Sequence, residues 1–480
     1  MTNIILIGCG PHARRVYLPA IQQSEGAKIS LVIELDHQQE LVTKVLEKYA
    51  YCETYFTEWF EDSLPNKLVD YLELHIKKYN VEGVIIATEP LIHKAYAKWA
   101  LSKGLNILLD KPITTRKNVV SEITQAKGIL QDYNELLADY TKLQEHKETV
   151  FMINAQRRFH KGFQFVREKI IEVKEQTNCP INFIQAYHSD GQWRFPSEIV
   201  SQDYHPYCYG YGKASHSGYH IFDTAIEFYK SSANDNKIAS SFDVYSSILQ
   251  PKGFFEQLES SDYDRLFVDQ KEQRSKWNTD EFYEKCTDFG ELDLSSIITL
   301  KKGHVPIGNI NINLIHNGYA GRTWINPGSD LYKGNGRIKH ESYHIQQGPF
   351  QSIQIHAYQG SDQHDLDNGI EAYLGGKNHF DVYVFRNPLL SKGKSQPEAY
   401  KLTDFFEKPE EGKESNIIME QVKFKVVEQF VDFIGGSLSK QSVNSQITEH
   451  KTAVQIMSGF YRSHINAIEN KLPVMSYDLD

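Results

Sequence analysis

The chain has 480 residues, of which 40% are hydrophobic and 24% charged, and its formal net charge at pH 7 is −10. This length allows two or more domains with a large core. The acidic balance argues against a general attraction to nucleic acid or to anionic membranes, and no apolar run reaches the ~18 residues that a membrane span needs.

The cysteines are few and widely separated in the sequence. They are Cys9, Cys52, Cys179, Cys208 and Cys286, and none falls in a CxxC spacing. This pattern predicts reduced thiols in a cytoplasmic protein and no metal site. The chain enters its first predicted strand directly, without the features of a secretion signal.

A glycine-spaced turn follows the first apolar run, Asn3–Ile7. The run predicts a strand buried on both faces, and a helical pattern continues after the turn. The spacing is G-x-G-x-x-A: Gly8 permits a tight turn, Gly10 lets a pyrophosphate approach, and Ala13 lets the helix pack closely. The helix start offers N–H groups to phosphates. The residues that the motif assigns to the cofactor are Gly8, Gly10, Pro11, His12 and Ala13.

An acidic pair ends the second apolar strand, Ile29–Ile33. Glu34 and Asp36 lie about 20 residues beyond the glycine turn, where one acid can bind both ribose hydroxyls of adenosine. We assign this role to Glu34, which favours NAD over NADP. A tight strand–helix turn in a protein that binds no nucleotide is the alternative interpretation.

The first 125 residues alternate strand and helix patterns, as in a parallel sheet with crossover helices. Further segments predicted in chain order are a strand at 84–88, a helix at 92–103, a strand at 106–109, a helix at about 119–143 and a strand at 150–154. The residues that end the strands, Glu89-Pro90 and Asp110-Lys111-Pro112, are polar or turn-forming.

Beyond residue 150 the apolar residues alternate with polar ones. Segments 309–314, 351–356 and 380–385 predict strands with one solvated face, as in an antiparallel or mixed sheet. Segments 421–434 and 448–468 predict amphipathic helices. The stretches 230–305, 360–377 and 390–414 are polar and irregular, and we interpret them as insertions or long loops.

Four motifs resemble the glucose–fructose oxidoreductase / inositol dehydrogenase (Gfo/Idh/MocA) family. They are the Gly8-Cys9-Gly10 turn with Tyr17-Leu18-Pro19, the stretch from Ala87 to His93, Gly104 to Pro112 with Asp110-Lys111-Pro112 in place of E-K-P, and Gly218-Tyr219-His220-Ile221-Phe222-Asp223. The resemblance covers the first 125 residues well and about 150–228 and 420–470 in patches. It identifies the family but not the substrate.

The resemblance implies an α/β protein in two parts. Residues 1–125 would form a Rossmann dinucleotide-binding domain, and 126–480 a C-terminal α/β domain with an open, mainly antiparallel sheet and insertions at about 230–305 and 360–415. NAD is the implied cofactor, with a cis bond between Lys111 and Pro112. Further cofactor contacts are implied at Thr88, Pro90, His93, Asp110 and Lys111.

The site chemistry would centre on Lys111 and His220. A lysine at a strand end can stabilise the alkoxide of a reacting hydroxyl, and an imidazole titrates near neutral pH. The alternatives are a solvated Lys-Pro turn and a structural histidine. Helical spacing predicts that His216, His220 and Asp223 share one helix face.

His216 departs from the family, which has an aspartate at this position. Two interpretations remain open from the sequence. Either His216 itself acts as the acid/base or as a substrate ligand, or the usual proton relay is lost. A zinc-binding histidine pair has no supporting motif. Arg157 or Arg158 can clamp a substrate carboxylate or phosphate, with salt bridges inside the fold as the alternative. Trp193 lies after a predicted strand that would face the substrate.

We therefore expect an NAD(H)-dependent oxidoreductase that acts on a secondary alcohol or carbonyl of a sugar or nucleotide-linked sugar. The catalytic candidates are Lys111, His220 and His216. One alternative is a hydrolase or lyase that retains NAD and oxidises its substrate transiently; another is a non-catalytic NAD-binding sensor. The resemblance also implies a homodimer or homotetramer formed through the open sheet face.

Overall fold

The computed structural model describes most of the chain in two compact units. The described residues are 1–49, 52–202, 205–234, 236–259, 261–262, 265, 279–316, 318–320, 337–361, 378–391, 393, 397–406 and 418–479. The first unit takes its described residues from 1–116, 128–160 and 409–454, and the second from 117–127, 161–408 and 455–480. Parts of the predicted insertions, among them 266–278, 362–377 and 407–417, lie outside the described residues.

The strands of the first unit form a parallel sheet. They are β1 (Thr2–Ile7), β2 (Ala27–Leu35), β3 (Glu53–Thr57), β4 (Val81–Ile86), β5 (Asn106–Leu109) and β6 (Phe151–Ile153). Their order is β3-β2-β1-β4-β5-β6, with every pairing between the described strands parallel. The strand order reverses direction between β1 and β4, so a crevice is expected at the carboxyl ends of these two strands.

Apolar residues on both faces explain why the central strands are buried. Ile4 to Ile7 of β1 and Val84 to Ile86 of β4 are fully or almost fully buried, as the apolar runs predict. The helices that connect or follow these strands are α1 (Leu18–Gln23), α2 (Gln39–Leu46), α3 (Asn66–Tyr79), α4 (His93–Ser102) and α5 (Ile123–Gln144). The predicted Rossmann-type parallel sheet is confirmed.

The second unit contains a larger, mixed sheet. Its strands are β7 (Phe183–Ser189), β8 (Ser241–Leu249), β9 (Asp293–Lys302), β10 (Val305–Ile315), β11 (Arg337–Gln347), β12 (Gln351–Ser361), β13 (Asn378–Arg386), β14 (Glu398–Tyr400) and β15 (Met475–Asp478). The order is β14-β13-β12-β11-β7-β10-β9-β8-β15. Among the described strands, β7 and β10 pair in parallel, and the other neighbouring strands pair antiparallel. The open, mainly antiparallel sheet is confirmed.

The alternation along these strands separates a buried face from an exposed one. In β10, for example, Ile310, Ile312 and Leu314 are buried while Asn309 is exposed. The remaining helices are α6 (Lys161–Thr177), α7 (Pro196–Ser201), α8 (Tyr219–Ser231), α9 (Pro251–Gln257), α10 (Thr279–Lys285), α11 (Leu402–Phe405), α12 (Ile418–Ile434) and α13 (Lys451–Ile468). Both α6 and α8 lie in the second unit, where they pack against each other, and α8 also packs on β7 and β10.

The interpretation of residues 230–305 as irregular is wrong for two long segments. Residues 241–249 and 293–302 are the strands β8 and β9, which pair with each other over their whole length. Their buried positions are occupied partly by serines, such as Ser246 and Ser296, which hydrogen-bond to backbone carbonyls and so conceal the apolar alternation. No helix among the described residues is both long and apolar enough to cross a membrane.

Candidate active site

The two glycines of the first turn have different surroundings. Gly8 has φ +90°, and a Cβ atom there would lie 2.5 Å from the carbonyl oxygen of Ala87. Its N–H donates to the carbonyl of Ile33 at 2.8 Å, so the turn is fixed against β2 and the end of β4. A Cβ on Gly10 would meet no atom within 4 Å. Gly8 therefore serves the fold, and Gly10 leaves the open space that a pyrophosphate requires.

The helix after the turn begins at this space. Pro11 and His12 are helical, Ala13–Tyr17 forms a π-helical segment, and α1 follows directly. Ala13 is fully buried, which explains the need for a small residue at the third motif position. The N–H groups of the first helical turn face phosphate oxygens if the dinucleotide binds as the motif predicts. The residues present therefore fit an NAD pyrophosphate.

Glu34, the last but one residue of β2, lies beside the glycine turn. Its Oε2 accepts the N–H of Cys9 at 2.7 Å, and its Oε1 accepts the N–H of Leu35 at 2.8 Å. These bonds hold a carboxylate next to the turn, where a ribose hydroxyl can donate to it. A 2′-phosphate would meet like charge there, so the arrangement fits NAD.

Asp110 anchors a hydrogen-bond network at the end of β5. Asn154 Nδ2 donates to Asp110 Oδ1 at 2.8 Å and to the Tyr17 hydroxyl at 2.7 Å, and Tyr17 donates to the same carboxylate. Burial alone would raise the pKa of Asp110, but the neighbouring His12, the donors Tyr17 and Asn154, and Lys111 together bring it below its ordinary value. His12 Nε2 lies 3.9 Å from Asp110 Oδ1, and burial lowers the pKa of His12 to about 4, so its ring is neutral at pH 7.

Lys111 follows this anchored carboxylate and is partly exposed. Its bond to Pro112 is cis, as the resemblance implies. His93 is fully buried, and its ring nitrogens lie 2.9 Å from the carbonyl oxygen of Pro112 and 3.1 Å from that of Thr88. His93 therefore braces the loops after β4 and β5, and Pro90 is buried in the same turn.

The arginine pair follows β6 in a 3-10 turn at Gln156–Phe159. Arg157 and Arg158 are both buried. Arg158 forms an ion pair with Glu449, so this guanidinium has a carboxylate partner within the protein. The role of the two arginines in substrate binding stays a prediction.

His220 and His216 lie in the second unit, on different structural elements. His220 is the second residue of α8, whereas His216 lies in the turn before it with ψ −114°. The prediction that both share one helix face is wrong, because the helix begins only at Tyr219. A Cβ on Gly218 would lie 2.7 Å from the carbonyl oxygen of Lys213, so only glycine fits where the turn meets the helix.

Aromatic rings surround His216. Ring centroids lie at 4.3 Å for His205, 5.3 Å for Tyr211 and 6.3 Å for Tyr207. His216 and His220 are each 6% exposed. Trp193 is half-buried and packs beside Phe195, before α7. Within the described part of the chain, no three His, Cys, Asp or Glu side chains are arranged to hold a metal ion.

A charged group beside His216 was not predicted from the sequence. Lys213 Nζ donates to His188 Nδ1 at 2.9 Å and to the carboxylate of Asp190. Arg337 Nη2 donates to the same carboxylate at 3.1 Å. These residues belong to no sequence motif; the available signal was a histidine on the buried face of β7.

Comparison with known proteins bears on the fold and the cofactor. Residues 2–137 match the family model described as "Oxidoreductase family, NAD-binding Rossmann fold" (GFO_IDH_MocA). No curated protein matches the sequence.

Solved structures resemble the chain over nearly its whole length. An oxidoreductase from Agrobacterium radiobacter in complex with NAD+, L-tartaric acid and magnesium is 12% identical, with TM-score 0.57 and coverage of 99% of this chain and 98% of that one. A putative myo-inositol dehydrogenase from Sinorhizobium meliloti 1021 is 11% identical, with TM-score 0.54 and full coverage of both chains. An aldose-aldose oxidoreductase from Caulobacter crescentus complexed with glycerol is 11% identical, with TM-score 0.54 and coverage of 100% and 99%.

At these identities the similarity to solved structures establishes the fold, and the family model adds the cofactor and the class of reaction. Residues 2–137 therefore match the NAD-binding Rossmann domain of the Gfo/Idh/MocA oxidoreductases, and the protein is an NAD(P)-dependent oxidoreductase.

Proposed function

We propose that the protein transfers hydride between NAD and a secondary alcohol or carbonyl of a sugar or sugar derivative. NAD, when bound, supplies the hydride acceptor or donor. The observation that carries the proposal is the grouping at the carboxyl edge of the first sheet. There the open space at Gly10 and the partly exposed Lys111 follow β1 and β5, and the carboxylate of Glu34 lies at the end of β2.

Lys111 is assigned to the reacting oxygen. An ammonium group that donates a hydrogen bond to this oxygen stabilises the alkoxide that develops as the hydride leaves. The network around Asp110 supports this role, because Asn154 and Tyr17 fix the residue before Lys111 and so restrict where its side chain can reach. In the reverse direction the same ammonium polarises the carbonyl.

His220 is assigned to proton transfer and His216 to substrate recognition. An imidazole exchanges protons near neutral pH, and His220 lies at the start of α8. His216 lies outside the helix among three aromatic rings, a setting that favours contact with the apolar face of a sugar ring. Trp193, Arg157 and Arg158 remain further candidates for substrate contact.

Changing Lys111 to Met tests the proposal. We expect turnover on any active sugar to fall about 10²–10⁴-fold, because the charge on the reacting oxygen loses its partner. The affinity for NADH, measured by fluorescence titration, should stay unchanged. Lys103→Met is the matched control, since Lys103 is a partly exposed lysine of the same unit paired with Glu73.

The reaction is detected with a panel of sugars and nucleotide sugars at the NADH absorbance band. Equal activity of Lys111→Met and the unchanged protein would contradict the assignment. Substrate cleavage without net NADH, together with co-purified NAD, would instead indicate the hydrolase or lyase that retains its cofactor. If Lys111 and His220 act in one reaction, a variant that lacks both side chains should lose little more activity than the less active of the two single variants.

We also propose that the protein acts in the cytoplasm and associates as a homodimer or homotetramer through the open face of the second sheet. All five cysteines are free thiols, which supports a reducing compartment. Support for association comes from apolar side chains on the exposed face, among them Tyr245 at 44% and Ile297 at 49% exposure.

A further inference from the structure

The charged group beside His216 contains two cations that share one carboxylate. Lys213 and Arg337 both contact Asp190, which follows β7, while Arg337 begins β11. The Arg337 Nε also donates to the backbone carbonyl of Asp190 at 3.0 Å. The Lys213 side chain is 1% exposed and Asp190 is 11% exposed, so solvent screens this pair poorly.

Arg337 retains hydrogen-bonding capacity. Of its five N–H groups, Nε and Nη2 contact Asp190, and its side chain is 23% exposed. A guanidinium with free N–H groups at the rim of a buried pair can bind a second oxyanion in its planar fork. Arg337 is thus the solvent-accessible member of a group whose other side chains are buried or nearly buried.

A buried histidine in this group lacks a partner on one side. His316 follows β10 and is 3% exposed; its Nδ1 lies 2.6 Å from the Tyr207 hydroxyl, and its Nε2 has no hydrogen-bond partner among the described residues. A phenol that donates to Nδ1 leaves the ring proton on Nε2, where it needs an acceptor. Buried donors are rarely left without one.

Charges of both signs lie around His316. Burial lowers the pKa of His316 to about 3; among the charges, Asp190 opposes this shift, and Arg194, Lys213 and Arg337 add to it. The ring is therefore neutral at pH 7, and three cations and one carboxylate are among the charges that act on it.

The group is continuous with the turn that carries His216. The His216 N–H donates to the carbonyl of Lys213 at 3.3 Å, and Ser217 Oγ donates to Asp190 at 3.3 Å. The Tyr207 ring lies 5.3 Å from that of His316 and 6.3 Å from that of His216. The turn that carries His216 is thus joined by hydrogen bonds to Lys213 and to the carboxylate that holds Arg337.

We propose that Arg337 binds an oxyanion, a carboxylate or a phosphate, carried by the sugar substrate, and that the buried Lys213 and His316 of the same group support the site. The inference rests on the proposed function, because it assigns a charge to the substrate of that reaction. A purely structural buried ion pair would stabilise the second unit without distinguishing charged from neutral sugars. That difference provides the test.

The test compares matched neutral sugars, sugar acids and sugar phosphates on the NADH-loaded protein, by calorimetric binding and by turnover. We expect one anionic class to exceed its neutral analogue at least about tenfold in affinity. Arg337→Gln should raise the KM of the anionic sugar about 10–100-fold and leave kcat and the neutral sugar nearly unchanged, and Arg337→Lys should restore part of the loss. Preference between acid and phosphate identifies the oxyanion.

Lys301→Gln is the control for loss of an ion pair, since Lys301 pairs with Asp243 between β8 and β9 of the same unit. This substitution should change neither the affinity nor the turnover of neutral or anionic sugars. Equal affinity for neutral and anionic sugars, or an equal effect of Arg337→Gln on both, would overturn the inference and leave the oxidoreductase proposal intact. Selective anion binding that Arg337→Gln abolishes, without turnover of any sugar, would support the binding site and contradict the proposed reaction.

Discussion

At the scale of single residues, the contrast between Gly8 and Gly10 separates folding from cofactor binding. Both are required by one motif, but only Gly8 has a backbone conformation and a neighbour that exclude a side chain. The space at Gly10 is open in the protein itself. A substitution at each position should therefore affect a different property.

Gly10→Ala should weaken NAD binding on the order of tenfold or more while changing the free energy of unfolding by less than ~0.5 kcal/mol. Gly8→Ala should lower the unfolding free energy by roughly 2 kcal/mol or more, since it adds strain at φ +90° to a 2.5 Å contact. Cofactor titration and urea unfolding of both variants measure this. Unchanged NAD affinity in Gly10→Ala would count against a pyrophosphate at this turn.

The residues of the cofactor site could be predicted to different degrees. The glycine turn and Glu34 were predictable, because short-range spacing determines their geometry. The network around Asp110 was not, because Tyr17 and Asn154 lie 93 and 44 positions away in sequence. Likewise Lys213, Asp190 and Arg337 meet only through the folding of the second sheet, with 147 positions between Asp190 and Arg337.

At the scale of elements, prediction succeeded where side-chain periodicity was strong. The segment 106–109 has the same bounds as β5, and the predicted strands 309–314, 351–356 and 380–385 fall within β10, β12 and β13. It failed at β8 and β9, where buried serines replace the apolar residues of the pattern. Prediction also extended the helical spacing back to His216, because the local periodicity did not reveal that the helix begins only at Tyr219.

Hydrogen bonds to Glu291 hold the turn before α8 in place. It is fully buried; its Oε1 accepts the N–H of Ala214 at 2.7 Å and the hydroxyl of Tyr461 at 2.9 Å. Burial raises the pKa of Glu291 to about 7 from an ordinary value of 4.5. The folded protein therefore holds a proton more tightly than the unfolded chain, and the stability this gives is present below about pH 4.5 and lost as the pH rises through 7.

Glu291→Gln should remove this dependence. The unfolding free energy of the variant relative to the unchanged protein should increase by up to ~3 kcal/mol between about pH 5 and pH 8, because an amide needs no proton to stay neutral. Denaturant unfolding at several pH values measures the difference. Glu469→Gln, at an exposed acid paired with Lys471, is the control and should show no such trend. A difference that stays constant with pH would refute a buried, protonated Glu291.

At the scale of the whole molecule, the proposed association through the open sheet face can be assigned to particular side chains. Tyr245 and Ile297 are directly paired on β8 and β9, and both are more than two-fifths exposed. Neighbouring exposed positions such as Ser247 and Ser295 are small and polar. A pair of large apolar side chains in this setting is a suitable centre for a symmetric contact.

Ile297→Lys should weaken self-association at least tenfold, which corresponds to ~1.4 kcal/mol, because a buried ammonium would lose its hydration. Size-exclusion chromatography with light scattering over a range of concentrations measures the change. Leu389→Lys, at an 86% exposed residue of a turn, is the control. Identical oligomers for Ile297→Lys and the unchanged protein would exclude this part of the sheet from the interface.

The first unit is assembled from segments distant in the chain. A Cβ on Gly83 of β4 would lie 2.7 Å from Ile434 Cδ1 and 3.2 Å from Phe430 Cζ, so α12 seats directly on the parallel sheet. The Ile153 N–H of β6 also bonds to the carbonyl of Ser445 at 2.8 Å. A polypeptide truncated after β6 would leave the apolar surface that α12 covers exposed to solvent. Ribosomal synthesis must therefore pass Ser445 before the nucleotide-binding unit can reach its final packing.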